Sequence, residues 1–227
     1  MPYFVKGEAG LNHSIIYTDN TERYFRYSGG TWAWRDHNPG NLVPGSVSAR
    51  HNQIGSTGKF AIFPDYKNGH SALLDCLKTT YKNASINYLV SKFAPAKDGN
   101  NVKIYRKFLH DRTGVKDDKK VKDFTASEFD KLWHAIEAME GYKEGIVTEV
   151  FPITEVYRDK NGICELHIKG KGWASKSECI NLAKQGCLDL IVCISHMRHE
   201  YLRARPNSSV NGSLEHMIVK KPKEKGK

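Results

Sequence analysis

The spacing of hydrophobic residues divides the chain into two parts with different predicted secondary structure. Between about residues 69 and 141 these residues recur every three or four positions, which is the spacing of amphipathic helices. After residue 153 they alternate with polar residues, as in half-buried strands. The change takes place within residues 145–153, and we predict a domain boundary there.

Helical signals in the first part are strongest near its end. A helix is predicted to begin at Thr125, which forms a capping-box pattern with Glu128, and Gly141 supplies its αL stop. Residues 1–68 hold few helical signals and many turn formers, so we expect short strands and ordered loops around an aromatic cluster. The other helices are predicted over residues 69–81, from residue 85 to the proline at 95, and over 102–113. The cluster comprises Tyr24, Phe25, Tyr27, Trp32 and Trp34.

The second part is predicted to contain strands, one helix and a hairpin turn at residues 160–162. The predicted strands are 153–157, 163–169, 188–195 and 201–204, and the helix spans 175–185. The whole chain therefore predicts an α+β fold class. We expect a mostly helical domain over 1–148, a small α/β domain over 149–219 and a basic disordered tail over 220–227.

Composition and charge narrow the class of protein. With 39% hydrophobic residues and 11% aromatic residues, the chain is too apolar to be wholly disordered. Its net charge of +10 suits an anionic polymer as partner, either nucleic acid or bacterial cell wall. No apolar run approaches the roughly 18 residues that a membrane-spanning helix needs, so no membrane insertion is predicted.

The first residues and the cysteines bear on where the protein is made. The opening sequence MPYFVKGE has no basic segment followed by an apolar run, so we predict no signal peptide and expect synthesis in the cytosol. The five cysteines are odd in number and show no C-x2-C spacing, so free, buried thiols are expected. We predict no metal site and no cofactor. Cys76, within the predicted helix 69–81, remains an alternative as a nucleophile.

Glu140 is the candidate for acid–base chemistry. The apolar residues of the helix that begins at Thr125 cover an arc of roughly 120°, and Glu140 falls close to the middle of that arc. Burial and the negative end of a helix both favour the protonated form of a carboxyl group, which is the form that a general acid needs. The alternative is a solvated helix end with Glu140 turned outward.

A second unusual segment covers residues 32–42. It ends in Asn38-Pro39-Gly40-Asn41, a tight-turn sequence, and Trp32 lies near its start. Between them lie a second tryptophan, an arginine, an aspartate and a histidine. Tryptophans pack against sugars and bases, and they are equally good core residues. The segment therefore either binds a ligand or only supports the structure of a cleft.

Four blocks of the sequence, in order, carry a resemblance to a known family. Residues 35–42 (RDHNPGNL) resemble the R-N-N-N-P-G-N-[IL] signature of phage structural and lysis-associated proteins linked to peptidoglycan degradation. Residues 58–73 resemble its F-x-x-F and G-x-x-A-L segments, and residues 85–105 its T-I…Y-A-P-x-x-[ED]-N-x-x-x-Y segment. Residues 132–141 are similar to the closing A-I-x-x-x-E-x-G. Asp36 and His37 depart from it, since the signature has asparagines there.

The resemblance implies a lysozyme-like muramidase that cleaves peptidoglycan glycan strands. Glu140 would protonate the glycosidic oxygen between N-acetylmuramic acid and N-acetylglucosamine. Asp36 is the first candidate for a second carboxylate and Asp65 the next. Without one, the 6-hydroxyl of the sugar would attack, as in a lytic transglycosylase. The residues expected to line the glycan cleft are Trp32, Trp34, Asn38, Asn41 and Tyr105.

Other functions stay open at this point. The chain is alternatively a non-catalytic module that binds peptidoglycan or nucleic acid, and Glu140 argues against this alternative. Cys76 would suit an amidase or peptidase, which needs a histidine partner that the sequence does not place. A muramidase made without a signal peptide suggests a phage-type lysin, a virion protein or an antibacterial effector that acts in the cell wall of a target bacterium. An effector implies a cognate immunity protein in the producer. The C-terminal part resembles a small bacterial α/β domain of unknown function.

Overall fold

The chain folds into two compact units. The computed structural model describes residues 3–160, 162–206, 208, 210–212 and 214–219. The first unit comprises Met1–Asn20 and Tyr27–Ile146, and the second comprises Thr21–Arg26 and Val147–Lys227. The division after Ile146 lies close to the boundary predicted after residue 148, whereas nothing in the sequence had assigned residues 21–26 to the second unit.

A sheet of short strands forms the N-terminal part of the first unit. The strands of this unit are β1 (Phe4–Ala9), β2 (Ile15–Asp19), β4 (Gly55–Ser56) and β5 (Ala61–Ile62). Two further strands, β3 (Tyr24–Ser28) and β6 (Ile146–Val150), are hydrogen-bonded to each other and have most of their residues in the second unit. Strand β1 lies between β2, which is antiparallel to it, and β4, which is parallel to it. Ile15, Ile16 and Tyr17 of β2 are fully buried, so the middle of this sheet is covered on both faces.

The α+β class is confirmed, but the expectation of a mostly helical N-terminal domain is wrong. Short strands are expected over residues 1–68, but two features make their pairing into one sheet hard to recognise in the sequence. Strands β4 and β5 have two residues each, which is too short for an alternating pattern to be seen. Strand β1 contains Gly7, a residue of low strand propensity, at a place where a Cβ would lie 2.5 Å from the Ile62 side chain.

The four longer helices of the first unit follow local sequence signals closely, whereas two short helices lie within residues 1–68, where only strands and loops are expected. They are α1 (Trp32–Arg35), α2 (Ser46–Arg50), α3 (Tyr66–Thr79), α4 (Ile86–Phe93), α5 (Val102–Thr113) and α6 (Ala126–Glu140). The capping box of Thr125 and Glu128 is confirmed at the start of α6. Gly141 has the expected positive φ of 73°, but its ψ of 132° is not the predicted αL conformation. Within the described residues, no helix is long and apolar enough to cross a membrane.

Helix α3 begins earlier than predicted and packs tightly on the turn before it. Asp65 caps the helix, because its carboxylate accepts a 2.8 Å hydrogen bond from the backbone N–H of Asn68. At Gly69, an added Cβ would lie 1.9 Å from the carbonyl oxygen of His37. Only a glycine allows the first turns of α3 to approach the 37–41 segment this closely.

The core of the first unit lies between α3, α4, α5 and α6. Each leucine or isoleucine side chain that is fully buried between these helices contributes roughly 1.5–3 kcal/mol of hydrophobic stabilisation. Cys76 belongs to the same core, and burial raises the pKa of its thiol to about 11. The thiol is therefore protonated at neutral pH, which does not suit a nucleophile. Fully buried members of this core are Leu73, Leu77, Leu89, Leu109, Leu132 and Ile136.

The second unit is built on a four-stranded sheet, a two-stranded sheet and a helix. Its elements are β7 (Ile153–Asp159), β8 (Gly162–Ile168), β9 (Gly172–Ser175), α7 (Lys176–Lys184), β10 (Leu190–Ile194), β11 (Glu200–Ala204) and β12 (Ile218–Val219). The sheet orders are β12-β7-β8-β9 and β10-β11. The predicted strands and helix are confirmed within a few residues. Asn161 of the predicted turn and the predicted tail over 220–227 lie outside the described residues.

A buried ion cluster ties residues 21–26 into the second unit. Asp189 is fully buried and accepts a 2.7 Å hydrogen bond from the Arg26 guanidinium. It also accepts hydrogen bonds from Arg205 at 3.0 Å and from the Ser208 hydroxyl at 2.7 Å. A buried carboxylate needs such partners, because an unpaired one costs several kcal/mol.

Candidate active site

Glu140, the last residue of α6, is hydrogen-bonded on both of its side-chain oxygens. The hydroxyl of Tyr105, on α5, donates to Oε1 at 2.7 Å. The side-chain amide of Asn41 donates from Nδ2 to Oε2 at 2.8 Å. Tyr105 and Asn41 lie 35 and 99 positions from Glu140 in the sequence, so the fold brings together three of the side chains that the sequence singled out.

The Tyr105 hydroxyl that donates to Glu140 belongs to a buried side chain. The side chain of Tyr105 is buried, with 4% of the residue exposed. Burial and, secondly, the adjacent Glu140 carboxylate raise the pKa of Tyr105 well above its usual range. The hydroxyl therefore stays protonated and acts as a fixed donor, and its buried ring offers little surface to a ligand.

Asn38 and Asn41, the first and last residues of the 38–41 turn, have different structural roles. Asn38 is fully buried, and its Nδ2 donates to the carbonyl oxygens of Leu42 at 2.9 Å and Ala61 at 3.0 Å. Its Oδ1 accepts a hydrogen bond from the backbone N–H of Leu42 at 2.9 Å. Asn41 has a φ of 45°, which asparagine tolerates better than most residues. Asn38 thus closes the turn, and the turn presents Asn41 to Glu140.

A cavity of about 250 Å³ adjoins Asn41. Its other walls are residues 42–48, Cys76, Thr80, Tyr81, Lys92 and Phe93. Apolar and aromatic side chains dominate these walls, and a single cation, Lys92, stands among them. Since the Asn41 amide also binds Glu140, it links the carboxyl group to the wall of this cavity.

Asp36 lies in a different environment from Glu140. It is fully buried, and neither of its side-chain oxygens has a hydrogen-bond partner among the described residues. Burial raises the pKa of Asp36 to about 8, although the neighbouring Arg35 acts in the opposite direction. At neutral pH Asp36 is therefore protonated and uncharged.

The two tryptophans are also placed differently. Trp32 is half-buried, and the guanidinium of Arg35 lies over its ring at 4.3 Å. Arg35 is held there by hydrogen bonds to the carbonyl oxygens of Gly29 and Gly30. Trp34 is buried and packs against Tyr27, with ring centroids 5.0 Å apart. Of the two, Trp32 keeps an accessible ring surface.

A second hydrogen-bonded group, centred on the carboxylate of Glu137, lies one helical turn before Glu140. The sequence did not single it out. Glu137 accepts a 2.9 Å hydrogen bond from the hydroxyl of Tyr66, and its Oε1 lies 2.8 Å from Nδ1 of His70. The His70 ring packs between Tyr66, at 5.6 Å, and Trp133, at 4.6 Å. The three-residue spacing of Glu137 and Glu140 is a sequence signal for neighbouring carboxylates, but it does not reveal their partners.

Asp65, the other candidate for a second carboxylate, caps α3, and both its oxygens accept hydrogen bonds from the Asn68 side chain at 2.9 Å. Among the described residues, no group of three or more histidine, cysteine, aspartate or glutamate side chains is arranged to hold a metal ion.

In comparisons with known proteins, no family model matches the chain, and no curated protein or solved structure matches it either.

Proposed function

We propose that this protein cleaves the glycan strands of peptidoglycan and that Glu140 is the general acid. The observation that carries the proposal is the pair of hydrogen bonds that Tyr105 and Asn41 donate to the two oxygens of Glu140. They fix the orientation of the carboxyl group, and proton transfer to a glycosidic oxygen requires a positioned acid. Asn41, Tyr105 and Glu140 also come from three of the four sequence blocks that resemble the phage family.

In the first step, Glu140 donates its proton to the glycosidic oxygen between N-acetylmuramic acid and N-acetylglucosamine. The bond from C1 of the muramic acid to that oxygen breaks, and N-acetylglucosamine leaves with the proton. Tyr105 orients Glu140 and keeps its own proton, because its pKa is raised well above the usual range by burial. Asn41 orients the other oxygen and reaches the cavity beside it.

For the second step, we favour attack by the sugar over attack by a protein carboxylate. Asp36 is buried and uncharged at neutral pH, so it is a poor nucleophile, and Asp65 is occupied as a helix cap. The 6-hydroxyl of the muramic acid then attacks C1, and Glu140, now ionised, takes up the hydroxyl proton. The product is a 1,6-anhydro sugar, and the reaction is that of a lytic transglycosylase. Attack by water would give a muramidase instead.

Digestion of purified sacculi tests the cleavage and distinguishes its products. We expect soluble muropeptides from the wild-type protein and none from Glu140→Gln. Mass spectrometry separates anhydro ends from reducing ends, since the anhydro product is lighter by one water. Sacculi that bind the protein but release no fragments would contradict the proposal and favour a non-catalytic binding module.

The substrate also sets where the protein acts. Peptidoglycan lies outside the cytoplasm, so the protein would act on the wall of a host or target bacterium, as a phage-type lysin or an antibacterial effector. An effector role would require a cognate immunity protein in the producer. Expression in a test bacterium checks this. We expect lysis when the chain is directed to the periplasm by an added signal sequence, no lysis from the cytoplasm, and none with Glu140→Gln.

A further inference from the structure

A groove of about 520 Å³ lies in the second unit, and none of the described residues that line it is assigned to the proposed glycan chemistry. Its floor is apolar and includes Val156, Leu202 and Leu214, which are buried. Ile218 and Tyr201 also line it, and 46% and 42% of these residues remain exposed. A ligand that fills this groove would therefore cover apolar and aromatic surface that is now in contact with water.

A strand that is paired on one edge lines one side of the groove. Residues 201–204 of β11 all line the groove. Among the described strands, β11 is paired only with β10, so alternate N–H and C=O groups of β11 point away from its partner. Such an edge offers donors and acceptors to an added strand.

The rim of the groove is strongly basic. Among the described residues, four cations and one anion line it, and none of these four cations takes part in an ion pair with another of them. By contrast, Glu200 at the start of β11 is neutralised by Lys184 at 2.6 Å. A net surplus of positive charge beside an open strand edge attracts carboxylates. The cations are Arg158, Lys160, Lys176 and Arg203, and the anion is Glu215.

The combination of these features indicates the chemistry of the ligand. We propose that the groove binds an extended acidic peptide segment of a partner protein, which adds as a strand to β11. Carboxylates of the peptide would lie at Arg158 and Arg203, and its alternate apolar side chains would cover the exposed part of Ile218. A phosphate polymer fits less well, because its backbone only accepts hydrogen bonds and cannot cover the apolar floor.

Fluorescence anisotropy on the full chain tests the proposal with three labelled peptides. The first alternates glutamate and valine, the second has lysine for glutamate, and the third is the acidic peptide with N-methyl groups on alternate residues. We expect the acidic peptide to bind and the lysine peptide not to bind. N-methylation removes backbone donors, and it should weaken binding by about tenfold or more, since two or three hydrogen bonds are lost.

Matched variants locate the site on the protein. Arg203→Gln and Lys176→Gln should each weaken binding of the acidic peptide about three- to fivefold at low salt, as expected for partly exposed charges. Lys169→Gln is the control, because Lys169 is an exposed lysine of the same unit that does not line the groove. Circular dichroism and the thermal midpoint verify that each variant is folded.

Several outcomes would overturn the proposal. Equal binding of the N-methylated and unmodified acidic peptides would exclude strand addition. Tighter binding of single-stranded DNA or polyphosphate, with the same loss in Arg203→Gln, would assign the groove to a phosphate polymer. Absence of binding to the acidic peptide, or an equal loss in Lys169→Gln, would contradict a peptide site in this groove. No glycan is present in these measurements, so they are independent of the proposed cleavage reaction.

Discussion

The hydroxyl of Tyr105 lies 2.7 Å from Oε1 of Glu140 and donates a hydrogen bond to it. This contact joins the body of α5 to the last residue of α6. Because burial and the nearby carboxylate raise the pKa of Tyr105 well above its usual range, the hydroxyl remains a donor throughout the pH range in which carboxyl groups titrate. A donor that does not change its own state can orient its partner before and after proton transfer.

Glu140→Gln should abolish the release of muropeptides from sacculi. The substitution removes the acid and keeps the size of the side chain, and an amide oxygen can still accept a hydrogen bond from Tyr105. We therefore expect the thermal midpoint to stay nearly unchanged. Glu144→Gln, an exposed glutamate close by in the sequence, is the matched control and should keep full activity. Activity above a tenth of the wild-type value in Glu140→Gln would contradict the assignment.

Tyr105→Phe should lower activity and change its pH dependence. The lost hydrogen bond to a charged group corresponds to about 1.5–3 kcal/mol, or roughly 10- to 150-fold in rate if it is needed in the transition state. Since a donated hydrogen bond favours the ionised carboxylate, the pH profile of cleavage should move upward. Tyr88→Phe, on an exposed tyrosine of α4, should change neither quantity. An unmoved profile would show that Tyr105 only supports the fold.

Asn38→Ala and Asn41→Ala should have opposite signatures. Asn38 makes three buried hydrogen bonds, two to Leu42 and one to Ala61 of β5, so its loss should lower the free energy of unfolding by about 1–3 kcal/mol. Asn41 contacts Glu140, so its loss should reduce kcat with a smaller effect on stability. Urea unfolding and sacculus digestion on the same preparations compare the two. A reversed pattern would contradict the division of roles.

The stability of the Asp36→Asn variant relative to that of the wild type should increase as the pH rises. Burial raises the folded-state pKa of Asp36 to about 8, from an ordinary value of 3.8. Between these values the unfolded chain releases a proton that the folded chain keeps, so the wild type loses stability with rising pH, by at most about 1.4 kcal/mol per pH unit. The stability difference between variant and wild type should grow from pH 4 to 8 and then level off. A constant difference would show that Asp36 ionises normally.

The same variant tests the second catalytic step. Because Asp36 is uncharged at neutral pH and fully buried, Asp36→Asn should retain most cleavage activity. Loss of activity as severe as in Glu140→Gln, in a folded protein, would identify Asp36 as the second carboxylate. The anhydro product expected from attack by the 6-hydroxyl would then give way to a hydrolysed product.

Asp189→Asn should destabilise the second unit by about 3–5 kcal/mol, because it leaves Arg26 and Arg205 without their buried counter-charge. Chemical denaturation followed by tryptophan fluorescence measures the change. Glu200→Gln, which breaks the more exposed pair with Lys184, is the control and should cost less than about 1 kcal/mol. Equal effects of the two substitutions would show that the buried cluster adds no special stability.

Local signals in the sequence predict α3 to α6 of the first unit well, but not the short helices α1 and α2, which lie where only strands and loops are expected. The ends of α4, α5 and α6 depend on residues next to them, such as Ser85, Gly114 and the pair Thr125 and Glu128. The start of α3 was missed, because the cap at Asp65 lies before a helical pattern that becomes apolar only at Ala72. The two-residue strands β4 and β5 depend on long-range pairing and carry no periodicity of their own.

The candidate site could be predicted only as separate residues. Helical spacing placed Glu140 on the apolar face of its helix, but the hydrogen bond from Asn41 spans 99 positions and depends on the whole packing of the first unit. The burial of Asp36 follows from the sheet and turn around it, and a charged residue in a polar stretch gives no sign of that. Sequence reasoning therefore singles out the proposed acid, Glu140, more readily than the protonation state of Asp36, the candidate for a second carboxylate.

The pairing of Arg26 with Asp189 has a consequence for synthesis of the chain. The two residues are 163 positions apart, so Arg26 leaves the ribosome long before Asp189 is made. At about 5–20 residues per second, the interval is roughly 8–33 s. During that time Arg26 lacks its buried counter-charge, whereas Arg23 in the same segment can pair with Glu149 as soon as residue 149 has been made. Completion of the buried ion cluster is thereby coupled to the last quarter of translation.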